Sequence, residues 1–244
     1  MNMLPRISDM VIAETEDYIA LNKPSGLLSI PDREGKDISL KNLLNEKFGK
    51  IFTVHRIDRD TSGLILFAKT EDAHKHFSAQ FEHRETRKIY NGLVIGTPSP
   101  AEGSVDAPIS EHPAKKGLMV INRKGKEALT DYTTLDDFRS CAWMQFRIHT
   151  GRTHQIRIHM KNIGNPIVCD PVYGDGKPLL LSSLKSKFKL SKNELDERPI
   201  MNRLALHASQ LELSDLSGNQ VLLEAALPKD LRATLQQLAK WKKK

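Results

Sequence analysis

A charged nonapeptide, HRIDRDTSG at residues 55–63, lies directly before the apolar run 64–68. Within it Asp58 stands between Arg56 and Arg59, whose guanidinium groups favour the ionised form of a neighbouring carboxylate. An ionised aspartate can act as a nucleophile or as a base. The alternative is a solvated turn in which arginine and aspartate pair at the surface. We treat Asp58 as a candidate catalytic residue.

The elements around Asp58 follow from the same residues. In extended backbone, Arg56 and Asp58 are expected on one face, with His55, Ile57 and Arg59 on the other. Residues 61–63 predict a tight turn in which glycine allows close backbone approach, and the apolar run predicts a buried strand. Asp58 is therefore expected at the edge of a rigid sheet.

A second stretch, RIHTGRTHQIRIHMK at residues 147–161, has four lysines or arginines, three histidines and no carboxylate. It needs an external anion or a buried acid, unless it is a solvated basic helix face. Its histidines are five residues apart, which rotates successive ligands by about 140° around a helix. With no glutamate nearby, this spacing argues against zinc, and we expect no metal site.

Composition restricts the class of protein. The chain has 244 residues, a formal net charge of +7 and a pI of about 9.3, which favours a polyanionic partner. Two cysteines, Cys141 and Cys169, do not make a disulfide framework or a thiolate cluster. The sequence has no secretion signal and no 18-residue apolar stretch, so we expect a cytoplasmic protein with no membrane association.

Periodicity predicts strands and helices in an irregular order. Strands are expected at 11–21, 87–96, 129–135, 142–149 and 204–213. Apolar residues at helical spacing predict three helices. The first is capped by Asp37 or Ser39, the second is capped by Thr70, and the third begins at Pro228. The mixture without regular βαβ alternation predicts an α+β fold.

Six motifs in order give the chain a family resemblance. It resembles the RluA-type RNA pseudouridine synthases, in the form without an N-terminal S4 domain, over about residues 11–230. The motifs are NKPSG at 22–26, the nonapeptide at 55–63, Lys88-x-Tyr90 followed by Gly96, 150–159, GNPIVCDPVYG at 164–174, and RLALHA at 203–208. The resemblance implies a single catalytic domain over 1–244, with a mixed, mostly antiparallel sheet flanked by helices.

The resemblance also implies the reaction, isomerisation of uridine to pseudouridine in RNA without cofactor or metal. Asp58 would be the essential aspartate. Attack on the sugar, attack on the base and removal of a C2′ proton all need an ionised carboxylate, and all three stay open. Tyr90 would stack on the uracil and help remove the C5 proton, and Arg157 would pair with Asp58. Arg56 would fill the gap left when the target nucleotide flips out.

Further substrate-binding residues are expected in the same motifs: His55, Arg152, His154, Gln155, Ile156 and Leu206, with Ile156 and Leu206 as apolar walls. Asp58 and Asp60 could form a glycosidase pair, but the surrounding arginines leave no neutral acid, so Asp60 is expected to support the site. Two basic clusters, at 115–126 and 185–192, are candidate phosphate contacts or simply solubilising surface.

The expected partner is structured RNA, tRNA or large-subunit rRNA or both, bound by a monomer. Lys23 lies too near the start for the basic N-terminal domain of many relatives, so recognition is expected to rest on the catalytic domain. Residues 175–202 are longer than a minimal connection and are either an RNA-contacting insert or a flexible loop; 240–244 form a basic tail. Alternatives of other classes are an RNA chaperone with dispensable catalysis and a small-molecule nucleoside glycosidase.

Overall fold

The computed structural model describes residues 6–32, 35–185, 188 and 196–242. Twelve strands are β1 Val11–Glu14, β2 Tyr18–Lys23, β3 Phe52–Thr53, β4 Ser62–Ala68, β5 Arg87–Ile95, β6 Glu102–Asp106, β7 Ile109–Glu111, β8 Met119–Ile121, β9 Leu129–Asp137, β10 Cys141–Ile148, β11 Leu206–Ser214 and β12 Gln220–Glu224. Four α-helices are α1 Leu40–Phe48, α2 Glu71–Glu82, α3 Gln155–Asn162 and α4 Lys229–Lys242.

The chain forms two compact units. One contains the residues up to Tyr90 with Arg147–His149 and His207–Ala226, and the other contains Asn91–Phe146, Thr150–Leu206 and the residues from Leu227. The prediction of one catalytic domain over 1–244 stays a prediction.

Strand β4 is the centre of the first unit. The strand order there is β1-β2-β4-β11-β5, with β3 also paired to β4 and β12 to β11. Strands β2 and β3 run antiparallel to β4, whereas β11 runs parallel to it. The sheet is therefore mixed and mostly antiparallel, and the predicted α+β class is confirmed.

Both faces of β4 are covered, which explains its uninterrupted apolar sequence. Leu64 and Leu66 belong to one buried cluster with Phe77 of α2. Ile65 and Phe67 point to the opposite face and belong to a second cluster that includes α1. The loop that precedes β4 is thus attached to one of the most buried strands of the unit.

The two predicted helices of this unit are confirmed with their caps. The Ser39 hydroxyl accepts from the Asn42 N–H and the Asn42 side chain accepts in return, so Ser39 rather than Asp37 is the cap of α1. The Thr70 side chain accepts from the Ala73 N–H at the start of α2. The strand predicted at 11–21 is instead the hairpin β1–β2.

The second unit has the strand order β5-β10-β9-β6 and a separate two-stranded ribbon, β7–β8. Helix α3 packs against this ribbon through Ile158, which is clustered with Ile109, Ala128 and Tyr173. The two ends of the predicted insert pair with each other, because the Leu179 N–H donates to the Met201 carbonyl at 2.7 Å.

Three parts of the sequence predictions fall wholly or partly outside the described residues. They are the middle of the insert, the lysines of the second basic cluster beyond Lys185, and the last two residues of the tail. No described helix is long and apolar enough to cross a membrane.

Candidate active site

Asp58 lies in the loop that joins β3 to β4, and it is half-buried. A turn at Arg59 and Asp60 follows it, and the Thr61 N–H donates to the Asp58 carbonyl at 3.2 Å. The turn predicted at 61–63 is therefore wrong by about two residues. The reason is that residues 62 and 63 pair in parallel with 207 and 208 and are drawn into β4.

The predicted alternation of faces across the loop is also wrong. Residues 54–58 have no strand pairing in the structure, and Arg59 is exposed although it was expected to share a face with buried Ile57. Arg56 is exposed and Asp58 is partly covered. The loop is shaped by side chains from another segment rather than by strand geometry.

Lys23 is the main anchor of this loop. Its side chain is fully buried, and its ammonium donates to the carbonyls of Pro24, Leu27 and Arg59 at 3.0, 2.7 and 2.9 Å. A buried charge is costly unless it is hydrogen-bonded, and an ammonium has three donors. Lys23 therefore joins residues 24–27 to the residue directly after Asp58.

Two serines of the same segment hold the carbonyls on either side. The Ser29 hydroxyl donates to the Ile57 carbonyl at 2.7 Å and accepts from the Ile57 N–H. The Ser25 hydroxyl donates to the Asp60 carbonyl at 2.6 Å. We call residues 23–29 the clamp segment, because its side chains bind the backbone of residues 57, 59 and 60 around Asp58.

Gly63 fixes the other end of the loop. Its φ is +113°, and a Cβ there would come within 2.2 Å of the Ala208 carbonyl oxygen. Only glycine tolerates both the conformation and this approach. The parallel pairing of β4 with β11 therefore depends on Gly63. The close backbone approach predicted at this glycine is confirmed, although it occurs within a strand and not in the predicted turn.

Tyr90 is half-buried on β5. Burial and the negative charge of Asp58 raise the pKa of its hydroxyl well above the usual value. Tyr90 is therefore a neutral phenol at neutral pH. This electrostatic coupling brings two of the predicted catalytic residues into one neighbourhood.

His55 has its ring engaged by the protein. The ring stacks on Phe81 with 4.5 Å between centroids, and Nε2 accepts from the Leu66 N–H at 3.0 Å. Burial, with the charge of Lys88, lowers the pKa of His55 to about 3. His55 is thus neutral and protonated on Nδ1, and its contact with substrate stays a prediction.

Arg157 is buried and bound by Asp170, an acid that had no role in the sequence predictions. Its Nε and Nη2 donate to the two carboxylate oxygens of Asp170 at 2.7 and 2.8 Å, and both side chains are almost fully covered. Burial alone would raise the pKa of Asp170, but the Arg157 bonds and charge, with the N–H groups of Tyr173 and Val172, lower it. The pairing of Arg157 with Asp58 stays a prediction.

Gln155 is occupied by bonds within the protein. Its Oε1 accepts from the Thr150 hydroxyl and the Arg152 N–H, and its Nε2 donates to the Leu129 carbonyl and to Thr130 Oγ1. These four bonds fill the capacity of an amide. Gln155 therefore holds the start of α3 in place.

The Thr130 hydroxyl continues this network to a buried histidine. Thr130 Oγ1 lies 2.9 Å from His159 Nδ1, and His159 Nε2 lies 2.9 Å from the Ala107 carbonyl. Since the carbonyl accepts from Nε2–H, Nδ1 accepts from the threonine. Burial lowers the pKa of His159. Residues 155–160 of the basic stretch are therefore buried within α3 and do not form a solvated helix face, whereas Arg147, Gly151 and Lys161 are exposed.

Arg152 and His154 lie at the entrance to α3. Arg152 Nε donates to the Glu127 carbonyl at 2.9 Å. His154 has a left-handed conformation, and its Nδ1 lies 2.9 Å from the Tyr173 hydroxyl, which accepts from the Met119 N–H. The Arg157 guanidinium lies over the Tyr173 ring at 5.1 Å. Tyr173 thus supports the helix entrance and the buried arginine together.

The two predicted apolar walls are buried in the second unit. Ile156 is 4% exposed and Leu206 is 3% exposed. A Cβ at Gly92 would lie 3.2 Å from Leu206 Cδ1, so this glycine leaves room for the leucine. Both side chains therefore pack inside the protein, and their contact with a base stays a prediction.

The described residues hold no group of three or more histidine, cysteine or acidic side chains placed to bind a metal. Among the residues that position the site, Lys23, Ser25, Ser29 and Asp170 had no role in the sequence predictions. A signal existed for Asp170, because the basic stretch required an acid and DPVYG is the acid-bearing motif nearest to it. No sequence signal assigns Lys23 to the carbonyl of residue 59.

Comparison with known proteins gives the class. The family described as RNA pseudouridylate synthase matches residues 17–162, which is more than half of the chain. The chain therefore belongs to the RNA pseudouridylate synthase family, and it is a pseudouridine synthase.

Particular relatives agree with this class. The chain is 36% identical over 228 residues to ribosomal large subunit pseudouridine synthase D of Escherichia coli K12, covering 91% of this chain and 68% of the relative. The Zymomonas mobilis protein of the same name is 34% identical over 241 residues, covering 93% and 72%.

Solved structures agree with the fold. Human RNA pseudouridylate synthase domain containing 4 has a TM-score of 0.75 and 25% identity, covering 96% of this chain and 94% of that one. Human RNA pseudouridylate synthase domain containing 1 has a TM-score of 0.67 and 21% identity, covering 94% of each chain.

Proposed function

We propose that this protein converts specific uridines of large-subunit ribosomal RNA to pseudouridine, with Asp58 as the essential residue and with no metal or cofactor. The observation that carries the proposal is the clamp segment, which commits a buried lysine and two serines to the backbone around Asp58. The names of the relatives support the choice of ribosomal RNA. A ribosomal RNA substrate is consistent with the cytoplasmic localisation expected from the sequence.

The reaction breaks the N1–C1′ bond, turns the uracil while it is held, and forms a C5–C1′ bond. C5 loses its proton and N1 gains one, so the product is an isomer of uridine. A positioned carboxylate next to the nucleotide serves each of the three routes open to Asp58. Rigid placement matters for all of them, since a small misplacement of a catalytic group is costly in rate. The hydrogen bonds from Lys23, Ser25 and Ser29 provide this rigidity.

Tyr90 is proposed to stack on the uracil as a neutral phenol. Its raised pKa makes the phenolate expensive at neutral pH, which works against Tyr90 as the resident base for the C5 proton. The aromatic face is unaffected by protonation and keeps its ability to stack.

Arg157 is proposed as the basic catalytic residue, with Asp170 holding its guanidinium in one orientation. The pair with Asp170 engages two of the five N–H donors of the arginine. Arg56, which is exposed, is proposed to fill the space of the flipped nucleotide. Ile156 and Leu206 are proposed as apolar walls.

The test is tritium release from [5-³H]uridine transcripts of large-subunit rRNA and of total tRNA, followed by mapping of the modified positions. We expect stoichiometric release from the rRNA at one or a few sites. Release from tRNA alone would overturn the ribosomal substrate but not the reaction. Free uracil in place of pseudouridine would support a glycosidase and contradict the proposal.

A further inference from the structure

A basic cleft lies in the second unit, where three stretches converge. The ribbon β7–β8, the turn at 122–126 and the loop 151–153 line a cavity of about 520 Å³. This is within the size range of ligand sites in proteins. Its side chains include Ser110, Glu111, Lys124, Lys126 and Arg152.

The cleft has an excess of positive charge. Among the described residues, no carboxylate lies within ion-pairing distance of Lys124, Lys126 or Arg152, although the cleft contains Glu111. Glu111 Oε1 accepts from the Gly117 N–H at 2.6 Å and so stabilises the turn of its own ribbon. The cleft thus has three cationic side chains and one carboxylate, which already accepts a hydrogen bond from the protein. This charge balance favours the binding of a polyanion.

The backbone under these cations is fixed. Lys126 and Ile109 exchange two backbone hydrogen bonds at 2.8 and 2.9 Å. A Cβ at Gly125 would come within 2.5 Å of the Ile109 carbonyl carbon, so the turn sits directly against β7. The Nε bond from Arg152 to the Glu127 carbonyl fixes the plane of the guanidinium. The cations are therefore held on an ordered frame.

Ser110 supplies a second, independent observation. Its hydroxyl oxygen is buried and has no hydrogen-bond partner among the described residues. Buried polar atoms are nearly always paired in proteins, so an unpaired one that lines a cleft is a candidate for ligand contact. A phosphate oxygen would accept from this hydroxyl.

The cleft is continuous in sequence with α3, the helix that carries the proposed catalytic residue Arg157. Residues 151–153 line it, and α3 begins two residues later and carries Ile156 and Arg157. A strand of RNA held at Arg152 would therefore be fixed within two helical turns of the buried arginine.

We propose that this cleft is a phosphate-binding subsite for the RNA strand next to the target uridine, with Lys124, Lys126, Arg152 and Ser110 as its ligands. The inference rests on the proposed function and specifies how the substrate is held. The occupant is one or two consecutive phosphodiesters of the RNA backbone, and the contacts carry no base specificity.

The test is the salt dependence of RNA binding, measured by fluorescence anisotropy with an unmodified large-subunit rRNA fragment. An Asp58→Asn background keeps catalysis out of the measurement. Lys124→Gln with Lys126→Gln should weaken binding at least tenfold at low salt. It should also reduce the slope of log K against log salt by about 1.4 to 1.8, for two phosphates lost.

Lys75→Gln with Lys229→Gln is the matched control, because both lysines are exposed and the loss of charge is the same. This control should leave the slope unchanged. Ser110→Ala, which removes no charge, should weaken binding about two- to tenfold without changing the slope. Circular dichroism and thermal melting of each variant establish that it is folded.

A cleft variant whose slope equals that of the wild type would overturn the subsite. A slope reduced equally by the cleft variant and by its control would also overturn it, because that result would indicate diffuse charge and not a site. Tritium release by the wild-type protein is scored separately. A reduced slope for the cleft variant, together with no tritium release by the wild-type protein, would refute the proposed function and still support the subsite.

Discussion

Removal of the carboxylate charge of Asp170 should destabilise the protein strongly. In Asp170→Asn, Oδ1 can still accept from Val172, Tyr173 and Arg157 Nη2, whereas the new amide N–H₂ would face the Nε–H of Arg157. The guanidinium would remain buried without its counter-charge. Loss of one partner of a buried ion pair costs about 3–5 kcal/mol of unfolding free energy.

The chain offers a control of the same geometry in Arg203 and Asp230. This pair is also bidentate, at 2.6 and 2.7 Å, but its side chains are 18% and 42% exposed, against 4% and 0% for Arg157 and Asp170. Solvent screens such a pair, so Asp230→Asn should cost about 1 kcal/mol or less. Both pairs lie in the second unit, so one unfolding transition reports on each.

Urea denaturation with an unchanged m-value measures both variants. We expect Asp170→Asn to lose at least about 2 kcal/mol more than Asp230→Asn. A smaller difference between the two losses, or a larger loss for Asp230→Asn than for Asp170→Asn, would refute the reasoning that burial makes the Arg157–Asp170 pair important for stability.

Two further predictions concern the first unit. Lys23→Met should leave the Pro24 and Leu27 carbonyls without a donor, while the Arg59 carbonyl keeps its bond from the Gly26 N–H. The free energy of unfolding should fall by about 2–4 kcal/mol. Urea unfolding measures this loss against the exposed control Lys47→Met. A loss within 0.5 kcal/mol of that control, roughly the size of an ordinary surface change, would contradict the anchoring role. His55 has a lowered pKa, so below about pH 6.5 the unfolded chain binds a proton that the folded protein does not, and stability should fall as the pH falls. His55→Gln should flatten this dependence between pH 6 and 4 by up to about 1.4 kcal/mol per pH unit, and an unchanged slope would refute the assignment.

Local signals predicted much of the fold. Ser39, Thr70 and the apolar spacing that follows each of them identified α1 and α2, because capping and amphipathic spacing are properties of neighbouring residues. The run 64–68 identified a buried strand for the same reason. The turn at Arg59 and Asp60 was misplaced because tertiary pairing draws Ser62 and Gly63 into β4. Both residues pair with β11, far along the chain, and Gly63 also pairs with Lys23 of β2.

The candidate site was predictable only in its parts. The resemblance pointed to Asp58, Tyr90 and Arg157 as catalytic candidates, yet gave no role to the residues that hold their backbones and charges. Lys23 reaches a carbonyl 36 residues away, and this contact exists only after β2 and β4 pair. The sequence indicated that the basic stretch needed an acid, but the loop that brings Asp170 to Arg157 forms only in the folded chain. Tertiary hydrogen bonds of this kind join distant segments and are not encoded in any local sequence pattern.

The most direct test of the account compares Asp58→Asn with Asp60→Asn in the tritium-release assay on large-subunit rRNA. Asp58→Asn should fold and bind RNA as the wild type does, with release reduced by about a thousandfold or more. Asp60→Asn keeps the backbone carbonyl that Ser25 binds, and should retain release within about tenfold of the wild-type rate, since it loses no group assigned to the chemistry. Wild-type release by Asp58→Asn would contradict the essential role of Asp58, and loss of release in Asp60→Asn alone would assign that role to Asp60.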